Sequence, residues 1–158
     1  FSFYARGMSF IDMAYLKKSD LKNGIITYRR RKTGQQLTVK WEKCMEDIIA
    51  KYGENTATRY LLPIITNPCS DERPQYRNAI CRINVALKEV AGLAGLNIPL
   101  TMHVARHCWA SVAKSKNIPL SVISEGMGHD SEETTRIYLA SLDTSVVDKA
   151  NSLILKDF

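Results

Sequence analysis

The chain has 158 residues, of which 45% are hydrophobic, enough for one buried core but too few for two independent ones. Its formal net charge of +6 and sequence pI of about 9.2 favour an anionic partner such as nucleic acid. Four widely spaced cysteines without a C-x-x-C pair, and no long apolar run, argue against a zinc ribbon, a disulfide framework or a membrane span, so we expect a soluble cytoplasmic protein.

Residues 1–16 carry apolar side chains at helical spacing, interrupted near Gly7, which predicts a helix, a turn and a second helix. Because the sequence opens with Phe1 rather than Met, we expect it to begin within a helix, as a fragment of a longer protein. Two β-rich runs, 25–28 and 37–39, flank a loop that contains Thr33 and Gly34. This pattern predicts a β-hairpin.

The middle of the chain is predicted to be helical on both sides of a loop. Apolar residues repeat at three and four over 41–52, which indicates an amphipathic helix, whereas 60–71 is rich in turn residues. A long helix is expected from Pro74 to about Gly95.

The last third predicts a series of shorter helices. The Thr101 hydroxyl is expected to cap a helix that runs to about Lys116. Pro119 opens a short helix through Glu125, which residues 126–128 interrupt. Asp130, with Glu133 at the third position, is expected to cap the helix that carries Tyr138, and 145–155 form a last amphipathic segment. The fold class is therefore mainly α with a small antiparallel β-sheet (α+β).

Several polar residues of this last third could carry chemistry. His103 and Arg106 are three apart, so both side chains lie on one helical face, although a solvated or structurally bonded histidine is the commoner explanation of such a pair. His103 and His107 have the spacing of two zinc ligands, but Val104 stands where a metalloprotease would carry its glutamate base.

Two further residues gain meaning only in combination. His129 follows Gly128 at a predicted turn, and Tyr138 lies nine residues later. Taken singly, each is ordinarily a packing residue. The order of the motifs along the chain changes that interpretation: it reads His103-Val104-Ala105-Arg106-His107, then Met127-Gly128-His129, then Thr135-Arg136-Ile137-Tyr138.

This series resembles the C-terminal signature of the tyrosine recombinases, the phage-integrase family. Their usual pattern is H-x-L-R-H, then L-G-H, then T-x-x-Y, with Ala105 and Met127 here in place of leucines. The family also carries a catalytic lysine in a β-hairpin, and Lys32 occupies the predicted hairpin turn. The simpler interpretation of the charges at 29–32 is a solvated run.

The family's first arginine is displaced in this sequence. It normally follows glycine in a T-G-x-R pattern with an acidic residue three positions later. Here Arg6 precedes Gly7, Asp12 is six positions after Arg6, and alignment on Asp12 puts Ser9 in the usual slot. We expect a shifted turn to deliver the Arg6 guanidinium.

The resemblance implies DNA phosphoryl transfer to a phenol without metal or nucleotide cofactor. Tyr138 would be the nucleophile and His103 its base, while Lys32 would protonate the leaving oxygen. Arg106 and Arg6 would bind the scissile phosphate, and His129 would donate a hydrogen bond to a non-bridging oxygen.

The resemblance also implies a domain organisation and partners. Residues 1–158 would form the catalytic domain, with the family's N-terminal DNA-clamping domain absent from this sequence. The partner would be double-stranded DNA. In the family the C-terminal segment often docks on a neighbouring protomer, so we expect an oligomer on DNA, although packing within one chain is the simpler alternative.

Two other functions remain open from the sequence. One is a non-catalytic DNA-binding module, either a helix-turn-helix regulator or a recombinase derivative that binds without cutting. The other is a metal-dependent hydrolase that uses His103 and His107. Only a recombinase would form a covalent adduct with DNA through Tyr138.

Overall fold

A computed structural model describes residues 1–52 and 57–140 of the chain. A 3₁₀ turn at Lys18–Asp20 precedes the first strand. The helices and strands follow in the order α1 (Phe10–Ala14), β1 (Leu21–Lys22), β2 (Ile25–Arg29), β3 (Gln36–Lys40), α2 (Lys43–Ala50), α3 (Glu72–Leu93), α4 (Val104–Ser115), α5 (Leu120–Met127) and α6 (Glu132–Ala140). The expected fold class, mainly helical with a small antiparallel sheet, is confirmed.

The predicted hairpin is present and belongs to a three-stranded antiparallel sheet in the order β1-β2-β3. Tyr28 pairs with Leu37 across the two long strands, and the turn between them closes with a bond from the Gly34 amide to the Arg30 carbonyl. Burial alternates along both strands, because successive side chains point to opposite faces of a sheet. One face of the sheet therefore belongs to the core.

The larger core joins that buried sheet face to the N-terminal segment, α1 and α2. Its members are Ala5, Met8, Met13, Leu16, Ile26, Tyr28, Leu37, Val39, Met45 and Leu62. A second core lies between α4, α5 and α6 and consists of Ala110, Ala113, Ile123, Met127 and Leu139. Small residues on α4 allow close approach of α5, and α5 packs in turn against α6. This packing determines where the side chains of the last three helices meet.

Helix α3 has 22 residues and is largely exposed. Its main attachment near the N-terminal end is aromatic: the ring of Tyr76 lies 5.7 Å from that of Phe10 and 6.4 Å from that of Tyr15. Further along, Val85, Val90 and Leu93 are exposed. The first turns of the helix thus contact α1, while Asn84 in its middle accepts a hydrogen bond from the Met102 amide and Ala91 near its end is buried.

Several helix ends differ from the prediction. Residues 2–7 form turns rather than a first helix. No side-chain bond caps α4, so the predicted cap by the Thr101 hydroxyl is wrong, and the Thr101 carbonyl instead accepts from the Val104 amide. The Ser131 hydroxyl, rather than the Asp130 carboxylate, accepts from the Thr134 amide at the start of α6.

The other predicted elements agree with the structure to within a few residues. The helices expected over 41–52 and from Pro74 correspond to α2 and α3, and α5 continues through Met127 before it ends at Gly128. The amphipathic segment predicted at 145–155 lies outside the described residues. Among the helices of residues 1–52 and 57–140, none combines the length and apolarity that crossing a membrane requires.

Candidate active site

Arg106 lies at the centre of the site, on the first turns of α4, with 4% of its surface exposed. Its Nη1 donates to the Gly7 carbonyl at 2.9 Å, and its Nη2 donates to the Met127 carbonyl at 2.6 Å. Gly7 has a φ of +71°, and a Cβ there would lie 2.9 Å from the Cα of Arg106. Only glycine allows the N-terminal turn to approach α4 this closely. The turn and α4 therefore both determine the position of the Arg106 guanidinium.

His129 follows the C-terminal end of α5. Gly128 adopts the left-handed conformation with a φ of +64°, its amide bonds to the Glu125 carbonyl, and the His129 amide bonds to the Ser124 carbonyl. This is the Schellman pattern of helix termination. A Cβ on Gly128 would lie 2.8 Å from Cδ1 of Leu37, so the turn also packs closely against β3.

Both ring nitrogens of His129 have partners. Nε2 lies 3.1 Å from Nη2 of Arg106, and Nδ1 lies 2.7 Å from the buried hydroxyl of Thr135. A guanidinium only donates, so Nε2 accepts and Nδ1 carries the proton. Burial, followed by the charges of Arg106, Arg30 and Lys32, lowers the pKa of His129 to about 4, and the ring is neutral at pH 7.

Tyr138 lies on α6 among three imidazoles. Its ring stacks on that of His107, with centroids 4.7 Å apart and planes 5° from parallel. The rings of His129 and His103 meet it edge-on at 5.7 and 6.4 Å. Burial raises the pKa of Tyr138 to about 12, against the opposing effect of the Arg106 charge. The phenol is therefore protonated at neutral pH.

His103 precedes the first residue of α4, and its ring lies edge-on to that of His107, with centroids 4.6 Å apart. Burial lowers the pKa of His103, and the charges of His107, Arg106, Lys32 and Arg30 lower it further. The ring is thus a neutral proton acceptor at pH 7. Within residues 1–52 and 57–140, no three potential metal ligands cluster at these histidines or elsewhere.

Lys32 lies in the β2–β3 turn with its side chain exposed. Its charge lowers the pKa of both His103 and His129, which places the ammonium within electrostatic range of both rings. The turn is fixed by Asp12, whose Oδ1 accepts from the Arg31 amide at 2.9 Å and whose Oδ2 accepts from the Ser9 hydroxyl at 2.6 Å. The acidic residue of the family pattern therefore holds the hairpin that carries the lysine.

Arg30 is a candidate site residue that the sequence does not predict, because the charges at 29–32 have the pattern of a solvated run. Only 7% of its surface is exposed, and its Nη1 donates to the Gly128 carbonyl. A signal was present in the strand: Ile26 and Tyr28 face the core, and the two-residue period continues to Arg30. The Arg30 side chain thus lies on the same face of the hairpin as Ile26 and Tyr28 and extends that buried row to Gly128.

Arg6 lies beside this arrangement rather than within it. Its side chain is exposed, its φ is +55°, and its charge acts on Tyr28, a neighbour of Arg106 and Arg30. Ser9, in the slot of the family's first arginine, caps α1 and bonds to Asp12. The role expected of Arg6 therefore remains a prediction.

The arrangement combines two buried guanidiniums, an ammonium within electrostatic range, neutral imidazoles and a protonated phenol. Such a set can bind an anion, accept the phenolic proton and supply a proton elsewhere. The structure brings His103, Arg106, His129 and Tyr138 into one cluster, with Lys32 at its edge.

Comparison with known proteins identifies the family. The family model described as "Phage integrase family" matches residues 3–145. The tyrosine recombinase XerC of Thermodesulfovibrio yellowstonii (strain ATCC 51303 / DSM 11347 / YP87) is 28% identical over 144 residues, which cover 86% of this chain and 46% of that protein.

Solved structures show the same fold. XerA recombinase matches with a TM-score of 0.69 and 21% identity, over 96% of this chain and 54% of its own. XerH site-specific recombinase, in a post-cleavage complex with its palindromic difH substrate, matches with a TM-score of 0.59 and 18% identity, over 95% and 44%. A lambda integrase dimer bound to a COC′ core site matches with a TM-score of 0.56 and 17% identity, over 86% and 48%.

The chain spans about half the length of these relatives. The family match covers most of the chain, and the solved structures share its architecture of helices around a small sheet. This chain therefore belongs to the phage integrase family and has the fold of a tyrosine recombinase catalytic domain.

Proposed function

We propose that this chain is the catalytic part of a site-specific DNA recombinase or integrase, which cuts and rejoins strands through Tyr138. The observation that carries the proposal is the buried Arg106 guanidinium in one cluster with the Tyr138 phenol and neutral imidazoles. The names of the related proteins support it, since they are recombinases and two are described as bound to DNA sites.

In the proposed reaction, the Tyr138 oxygen attacks a backbone phosphorus atom. The bond from phosphorus to the 5′-oxygen breaks, which leaves a 3′-phosphotyrosyl bond and a free 5′-hydroxyl. Attack by another strand's 5′-hydroxyl then releases the tyrosine. The number of phosphodiester bonds does not change, so the reaction consumes no nucleotide cofactor.

Deprotonation of Tyr138 needs a base, because burial raises the pKa of the phenol to about 12. His103 is neutral at pH 7 and its ring lies edge-on to that of Tyr138, so it is the proposed acceptor. As the bond to phosphorus forms, the phenolic proton passes to the imidazole. Arg106 assists, since its charge stabilises the developing phenolate.

The phosphate and the leaving oxygen need other groups. The transition state carries negative charge on the non-bridging oxygens, which fixed cations stabilise best, and Arg106 is fixed by hydrogen bonds to two carbonyls. Lys32 on the exposed turn is the proposed donor of a proton to the 5′-oxygen. His129 holds Arg106 in this state, and its proposed bond to a non-bridging oxygen requires a proton on Nε2.

Double-stranded DNA is the proposed partner, in agreement with the net charge of +6. Beside the hairpin turn, an open groove is lined by Arg31, Arg73 and Arg77, with Tyr15 beneath the Arg31 guanidinium at 3.8 Å and Asp71 and Glu72 on the same lining. Arginines in such a groove bind backbone phosphates without reading sequence, and their contribution weakens as salt rises. The predicted assembly through the C-terminal segment concerns residues outside the described ones.

The test is a covalent adduct on nicked DNA. The complete natural polypeptide that contains these residues is incubated with a pool of duplexes randomised around a nick, from which the short 5′-hydroxyl fragment diffuses away after cleavage. We expect a protein–DNA adduct that resists SDS and maps to Tyr138. The Tyr138→Phe variant should form none, whereas Tyr4→Phe, at an exposed tyrosine, should match the wild type.

Other outcomes would contradict the proposal in different ways. Binding of the pool without any adduct would indicate a DNA-binding module that does not cut. An adduct at Tyr4, Tyr15 or Tyr28 would keep the family's chemistry but remove Tyr138 from the site.

A further inference from the structure

Two arginines are held at the same helix end. Arg106 donates to the carbonyl of Met127, and Arg30 donates to the carbonyl of the next residue, Gly128. These carbonyls belong to the C-terminal end of α5, where the peptide dipoles carry partial negative charge and stabilise cations. The hairpin and α4 thus deliver one guanidinium each to adjacent backbone oxygens.

Neither charge forms an ion pair within the described residues, and the buried Asp12 carboxylate only partly offsets the charge of Arg106. Both side chains are almost fully buried, and the ion pairs among residues 1–52 and 57–140 include neither of them. The Arg30 charge, together with burial as the larger cause, lowers the pKa of Arg106 to about 10. Two like charges buried side by side destabilise the free protein, and an anion bound between them would relieve the repulsion.

Arg30 also retains the donors that such an anion needs. A guanidinium has five N–H groups, and the hydrogen bonds within the described residues use one of those of Arg30 and three of those of Arg106. The stem of Arg30 also packs closely against this turn, since a Cβ added to Gly128 would lie 3.3 Å from its Cδ. The head group is therefore positioned before any ligand binds.

The place where the family has its first arginine offers no second cation. Ser9 stands there and is engaged with Asp12, while the displaced Arg6 is exposed. The second guanidinium in contact with the α5 terminus comes instead from the end of β2. Both alternatives, Arg6 and Arg30, are present in the chain, and only Arg30 shares its anchoring turn with Arg106.

We propose that Arg30 is a catalytic residue, which with Arg106 binds the non-bridging oxygens of the scissile phosphate and takes the place of the family's first arginine. This inference rests on the proposed function, since it concerns the same reaction. The competing explanation is structural: Arg30 would only attach the hairpin to α5 through its bond to Gly128.

The experiment compares two DNA substrates that differ in charge. The duplex that gives the most adduct with the wild type is remade with a methylphosphonate at the scissile position, which replaces one charged oxygen by a methyl group. The rate of adduct formation is measured on both duplexes for the wild type and for Arg30→Gln. The ratio of the two rates does not depend on the folded fraction, because both substrates meet the same protein sample.

We expect Arg30→Gln to slow the reaction on the normal phosphate by about 10²- to 10³-fold, as for loss of one transition-state donor. On the methylphosphonate the loss should be at least tenfold smaller, at about 10- to 100-fold, because there is less charge to neutralise. Arg29→Gln, at the adjacent exposed arginine that bonds to the Gly34 carbonyl, should keep the wild-type ratio.

Each remaining outcome has a definite meaning. An equal loss on both substrates would show that Arg30 is only structural, and a substrate-dependent loss in Arg6→Gln instead would give the role to Arg6; either result overturns the proposal. If Arg30→Gln does not fold, Arg30→Met, which keeps an apolar stem but removes the charge, provides the same ratio. If the wild type forms no adduct on any duplex, the proposed function itself fails.

Discussion

The helical side and the hairpin side of the site are built in different ways. On the helical side, hydrogen bonds and ring contacts fix the side chains of Arg106, His129 and Tyr138. On the hairpin side, the Asp12 carboxylate fixes the backbone at Arg31, and the side chain of Lys32 extends into solvent. For the proposed reaction, the groups that bind the phosphate and attack it are positioned in advance, whereas the proton donor is positioned only by its backbone.

Replacement of Arg106 tests the helical side most severely. Arg106→Lys keeps the charge but removes the planar fork that bonds to Gly7 and Met127, so we expect the rate of adduct formation to fall by about 10³-fold. Arg82→Lys, the same exchange at an exposed position of α3, should leave the rate unchanged. Single-turnover kinetics on the nicked duplex measure both, and a loss below tenfold would show that charge alone suffices.

Gly128→Ala tests the junction between the two sides. A left-handed alanine that also meets Leu37 should lower the free energy of unfolding by about 1–3 kcal/mol. Gly92→Ala is the matched control, because Gly92 lies inside α3 with open space around it, and there alanine should stabilise by about 1 kcal/mol or less. Denaturant unfolding compares them, and equal stability of the two variants would mean that the junction tolerates a side chain.

The smallest expected effect is the dependence on pH. Burial lowers the pKa of His103 below 6.5, and the charges that face it, from His107 and Arg106 on α4 and from Lys32 and Arg30 on the hairpin, lower it further. A base with a lowered pKa stays neutral down to that value, so the adduct rate should be constant from about pH 8 to 7. Below the pKa of His103 it should fall about tenfold per unit. An inflection above pH 6.5 would exclude His103 as the base.

The sequence predicts the helical side far better than the hairpin side. His103 and Arg106 share a helical face because they are three residues apart, and Gly128 marks the turn before His129, so local rules suffice. The existence of the hairpin could be predicted from its two β-rich runs and from the turn residues between them. The bonds of Arg30 to Gly128 and of Arg106 to Gly7 join residues 98 and 99 positions apart, and no local pattern encodes such pairs.

The predictions of the helix caps were wrong for a related reason. Thr101 and Asp130 both have side chains that can cap, but neighbouring residues compete for the same amides, and tertiary packing decides among them. Ser131 lies one position after Asp130 and bonds to the Thr134 amide. The choice moves the start of α6 by one residue, while Tyr138, the proposed nucleophile, remains on the same helix.

Tyr138 and His107 face each other across two helices of one polypeptide, with their rings nearly parallel. The phenol therefore lies beside the guanidinium and the imidazoles of its own chain. In the proposed reaction, the copy of the protein whose arginine binds a phosphate would also cleave the DNA strand at that phosphate. In an assembly on DNA, each nicked strand would then be attached to the same copy whose guanidinium binds its phosphate.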